Sequence, residues 1–133
     1  MVASAATPEG VLGVMVMGLS HKVAIYVPSK IKDAKVPALH RKYTRLVLKR
    51  LGLLFGGSTM VKGVGTWVDA RGKLVPEKVA ICYSFCDESA LALNEGKVFD
   101  LARHVAKRMS QESVSVEIDG VLHFVSAGVP VAA

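Results

Sequence analysis

Only two cysteines, Cys82 and Cys86, occur in 133 residues. That excludes the disulfide framework on which small secreted proteins depend. Both read as reduced thiols, which predicts a cytoplasmic setting. Long hydrophobic runs are also missing. The apolar stretch 11–19 is shorter than the ~20 residues that span a bilayer. No Lys or Arg precedes it, as an export signal would require. No membrane association is expected. Residues 1–20 are expected to form an apolar arm and residues 127–133 a tail, flanking one domain of residues 21–126.

Acids are scarce in one region. Residues 22–50 hold nine Lys/Arg and a single acid, Asp33, while residues 51–133 hold eight basic and nine acidic residues. The formal net charge of +6 is therefore local. A local field of that sign attracts polyanions, anionic ligands or acidic protein surfaces.

The order of elements follows from periodicity and punctuation. "HKVAIYVPS" (21–29) is a β-branched run that Pro28 closes, a strand. "KIKDAKV" is a polar loop. Pro37 suits a first helical turn, and Gly56-Gly57 ends a helix near Phe55. Leu39, Tyr43, Leu46, Val47, Leu51 and Leu54 share one face of that helix, and Arg41, Lys42, Arg45 and Lys49 fall within an arc of about 100° opposite. "STMVKGVGTWVDA" and "KLVPEKVAICYSF" read as strands joined at Gly72. Asp87 or Ser89 caps a second helix with a stripe of Leu91, Val98, Leu101, Ala102, Val105 and Met109. "SVSVEIDGVLHFVS" is a strand, an Asp-Gly turn and a short partner strand. The predicted fold is α+β: a ferredoxin-like β-α-β-β-α-β sandwich with an antiparallel sheet, two helices on one face and a short extra C-terminal strand. Trp67 is expected to be buried between core elements.

Motifs for cofactors and metals fail in this chain. Gly63 and Gly65 lack the third glycine and the following helix of a dinucleotide fingerprint, and Gly72-Lys73 is followed by Leu74, unlike a phosphate loop. Cys82 and Cys86 have no Cys/His partners at zinc spacing, and His21, His40, His104 and His123 are scattered. No cofactor and no metal is expected. "IYVPSK" (25–30) and "KGVGTWV" (62–68) are similar to the two motifs of RNA-recognition domains. The second lies one strand too early, however, and offers Val64 and Thr66 where rings should stack. Tyr26 alone could stack a base, and base stacking is worth only about 1–3 kcal/mol per ring.

The wider pattern G-G-x-T (56–59), G-x-W (65–67), L-V-x-E (74–77) and Q-E-x-V (111–114) resembles a group of small phage- and plasmid-encoded proteins over residues 21–125. The group carries no assigned activity. The resemblance implies a mobile-element origin and an α+β fold, and with a phage origin the expected setting becomes the host cytoplasm or a virion.

Two alternative functions are expected, the first favoured. The first is a non-enzymatic binding or assembly protein that forms a homo-oligomer through the uncovered sheet face, assigned by alternation to Ala24, Tyr26, Val64, Thr66, Ala80, Cys82, Ser84 and Ser115. Such a small, uncharged face suits a self-complementary contact. The second is binding of nucleic acid or an anionic ligand by Arg41, Lys42, Arg45 and Lys49, aided by Lys30, Lys32 and Lys35.

Overall fold

The computed structural model describes residues 15–128. Most of the expected N-terminal arm and C-terminal tail lie outside this range. Residues 15–20 carry no regular structure and are exposed.

Strand β1 (His21–Pro28) leads to a two-residue ladder, β2 (Lys30–Ile31) with β3 (Ala34–Lys35), where only a loop was expected. Helix α1 spans Pro37–Phe55. Its C-terminus is closed by Gly56 at φ +87°, a left-handed conformation that costs glycine nothing, with its N–H on the Gly52 carbonyl. Strands β4 (Thr59–Val68) and β5 (Leu74–Cys86) form a long hairpin. Helix α2 (Glu88–Arg108) is capped by the Asp87 carboxylate, which accepts from the Ala90 N–H at 2.8 Å. That bond, with one from Ser89, holds the Asp87 carboxyl below its usual range. Strands β6 (Ser113–Ile118) and β7 (Val121–Ser126) turn at Asp119-Gly120, both at positive φ.

The main sheet has the order β4-β5-β1-β6-β7, every pairing antiparallel. This is the ferredoxin-like arrangement with one extra edge strand. Val23, Ile25 and Val27 of β1 and Val114 and Val116 of β6 meet Val47 and Leu51 of α1 and Val98, Val105 and Met109 of α2 in one core.

Register corrects the expected phase of the hairpin. Ala80, Cys82 and Ser84 pair with Val27, Ile25 and Val23, so they lie on the helix-covered face, almost wholly buried. Val64 and Thr66 share that face, in phase with Met60, which pairs with Cys82. The expected interface residues Thr66, Ala80, Cys82 and Ser84 are therefore not on the open face; Ala24 and Tyr26 are in phase with it, but Ala24 is fully buried and only Tyr26 is partly exposed. The physical reason is helix clearance. Small side chains let α1 settle close to β5, and the Ser84 hydroxyl donates to the Gly57 carbonyl at 2.6 Å. The bulky residues Val79, Ile81, Tyr83 and Phe85 then face outward. Trp67 is likewise on the open face and 52% exposed, not buried. The distal hairpin runs past the helix layer, leaving Val64, Val68 and Leu74 more than half exposed on its other side.

Candidate functional site on the open sheet face

The open face carries Val61, Gly63, Gly65 and Trp67 from β4, Val75 to Phe85 at odd positions from β5, Lys22, Ala24 and Tyr26 from β1, Ser115 and Glu117 from β6, and Leu122 and Phe124 from β7, with the Lys22 ammonium 4.8 Å over the Tyr83 ring. It is a broad apolar surface with a polar hollow at one end. The hollow has a volume of about 120 Å³ and is lined by Tyr26, Glu77, Val79, Gln111, Ser113 and Ser115, among others.

Each polar group there is held by local chain geometry. Glu77 lies opposite Gly65 in the β4–β5 ladder, diagonal to Trp67. Its carboxylate accepts from the Ser29 N–H at 3.3 Å, where the chain leaves β1. The Gln111 amide donates to the Lys30 carbonyl at 2.7 Å and to the Met109 carbonyl at 3.0 Å, which ties the start of β6 to β2. Both amide hydrogens are engaged, so its own carbonyl oxygen remains for a ligand. The Tyr26 hydroxyl donates to Glu117 at 2.8 Å, and that bond, with partial burial, raises the Tyr26 pKa. Tyr26 thus stays a neutral phenol at physiological pH. No Lys, Arg or His lines the hollow. The nearby Lys30 ammonium donates to the Pro76 carbonyl instead. One lining carboxylate, Glu77, a phenol ring hydrogen-bonded to a second carboxylate, Glu117, and two hydroxyls without a lining cation suit a cationic ligand with hydrogen-bonding edges.

The other expected residues lie elsewhere. Arg41, Lys42, Arg45 and Lys49 are exposed on the outer side of α1, while Lys30, Lys32 and Lys35 belong to the β2–β3 ladder. Cys82 is no nucleophile: burial pushes its thiol up to about 11. Among the described residues no three His, Cys, Asp or Glu side chains converge as metal ligands would. Sequence reading missed Glu77, Gln111 and Glu117. A signal was present for Glu77, an acid at a position flanked by Val75 and Val79 on the same strand face. The G-x-W, L-V-x-E and Q-E-x-V elements also converge at this end of the sheet.

No family model and no curated protein matches the chain. Among solved structures, it is similar to a phage SAM lyase in complex with S-methyl-5′-thioadenosine, at 21% identity and a TM-score of 0.62, over 87% of this chain and 96% of that one. An apo-state phage SAM lyase matches at 23% identity and a TM-score of 0.60, over 87% and 98%. These likenesses establish a shared fold.

Proposed function

We propose that the hollow around Glu77 binds S-adenosylmethionine and that the protein cleaves it to S-methyl-5′-thioadenosine. The observation that carries this reading is the cation-free, carboxylate-lined hollow on the open face. The end-to-end fold likeness to a SAM lyase supports it. S-adenosylmethionine carries a sulfonium and an ammonium, and both favour Glu77, Glu117 and the face of Tyr26.

The chemistry asks little of the protein beyond placement. When the bond between sulfur and the amino-acid side chain breaks, its electron pair neutralises the sulfonium. The thioether leaves without needing a proton. The remaining fragment is completed either by its own carboxylate closing on the carbon that held sulfur, or by loss of the neighbouring proton to form an alkene. Neither route takes up water or a redox partner. Closure annihilates a positive and a negative charge, so an apolar surround that excludes water favours the transition state over the ground state. In the alkene route the Glu77 carboxylate, which lines the hollow, serves as the base.

The hollow of about 120 Å³ is smaller than the roughly 300–1,000 Å³ of typical small-molecule sites. A nucleoside therefore needs a second wall. The apolar open face supplies one if two or more copies associate through it, which joins the expected homo-oligomer to the site. A mobile-element origin accords with this reading, because the neighbours in fold are phage proteins. Calorimetric titration with a non-cleavable S-adenosylmethionine analogue that carries an amine in place of the sulfonium, and so keeps both cationic groups, tests it. Wild type is expected to bind and Glu77→Gln to bind at least tenfold more weakly; equal binding by both, or none by either, contradicts the assignment.

A further inference from the structure

The helix side of the molecule bears a second surface that the proposed reaction leaves unexplained. Helix α1 has no Asp or Glu along its 19 residues. It carries Arg41, Lys42, Arg45, Lys49 and Arg50, all exposed. Among the described residues the side-chain ion pairs are His21–Asp119 and Arg103–Asp100, neither of which touches this helix. Lys42 is held at 5.5 Å over the Tyr43 ring, which anchors its stem without neutralising its charge.

The arrangement works against the stability of the fold. Lys30 and Lys35 sit directly opposite each other in the β2–β3 ladder, where like charges repel. Lys32, at the tip, adopts φ +54°, an unfavourable conformation for a side-chain-bearing residue. Lys35 lies two residues before α1, at the positive end of the helix dipole, and no acid occupies the first turn. Arg41, Arg45 and Lys49 repeat at i, i+4, where like charges also repel. Local choices that oppose the fold concentrate where function requires them.

The proposed substrate does not account for these cations, since S-adenosylmethionine is itself positively charged and would be repelled. We infer that the outer face of α1, with the β2–β3 ladder, binds the phosphate backbone of a nucleic acid without reading sequence. Arg41, Arg45 and Lys49 are spaced about 6 Å apart along a straight row, which follows a strand of phosphates. A membrane surface fits less well. The apolar side of α1 is committed to the core, and the outer side presents Leu53 as its large exposed apolar group.

Fluorescence anisotropy with a labelled 30-base-pair duplex tests the inference, using wild type and the Arg41→Ala/Arg45→Ala/Lys49→Ala variant. The three sites are exposed, and alanine is the best helix former. Wild type is expected to bind at 50 mM salt and to weaken roughly a hundredfold by 200 mM, as four or so phosphate contacts require. The variant should bind at least tenfold more weakly, with a flatter salt dependence, while its melting temperature and any thioadenosine formation stay at wild-type level. Absence of wild-type binding at 50 mM salt would overturn the inference, as would equal binding by the variant. Tighter attachment to phosphatidylserine vesicles than to duplex, lost in the same variant, would overturn it in favour of a lipid surface.

Discussion

Glu77 illustrates how a residue's role depends on what the fold places beside it. In sequence it is one acid between Pro76 and Lys78. In the structure it faces outward beside Trp67, Tyr26 and Gln111, held by the Ser29 N–H. Replacement by Gln keeps the shape and removes the charge. Another titrating contact lies at the start of β1. The Asp119 carboxylate hydrogen-bonds His21 and also accepts from the Lys22 N–H, closing the β6–β7 turn onto β1. The bond raises the His21 pKa above 6.5 and lowers that of Asp119 below 3.8. The His21 contribution is complete below pH 6.5 and is lost as pH rises through the elevated folded value. The Asp119 contribution is complete above pH 3.8 and is lost as pH falls through the depressed one. Melting temperature should therefore fall from pH 5.5 to pH 8.5 by more in wild type than in Asp119→Asn, which tolerates the same positive φ. Identical pH slopes would show that the pair contributes nothing.

At the scale of elements, most boundaries were legible because they depend on local chemistry. Pro37 opens α1, Gly56 closes it and Asp87 caps α2, each for a reason contained within a few residues. The phase of β5 was not legible. Its two faces offer small residues at even positions and large ones at odd positions, and size suggested that the large ones were core. Burial instead follows α1, which packs closely only over Ala80, Cys82 and Ser84. Two substitutions separate these readings. Leu51→Ala, fully buried on α1, should destabilise by about 2–5 kcal/mol. Trp67→Ala should cost well under the ~3–5 kcal/mol of a buried tryptophan. Chemical denaturation of both variants checks the ordering, and a larger loss at Trp67 would place it in the core. The N-terminal half of α2 offers a gentler contrast, since Leu93 is 75% exposed and Val98 fully buried.

The whole molecule presents two dissimilar surfaces: an apolar sheet face with an acidic hollow, and a cationic helix layer. The charge imbalance was visible in the sequence, while the hollow was not, because residues 26, 77, 111 and 117 meet only through the order β4-β5-β1-β6. If copies associate through the sheet face, Ile81→Glu should remain folded, since its side chain is not in the core, yet dissociate, because like charges would face each other in the contact. Light scattering at tens of micromolar reads this directly; a monomeric wild type contradicts the assembly. The proposal that ties the surfaces to a function is the cleavage of S-adenosylmethionine at Glu77. Chromatography of the nucleosides after incubation with purified protein tests it most directly. Wild type is expected to convert S-adenosylmethionine to S-methyl-5′-thioadenosine and Glu77→Gln to do so at least a hundredfold more slowly. Unchanged S-adenosylmethionine with wild type, or conversion undiminished in Glu77→Gln, would contradict the account.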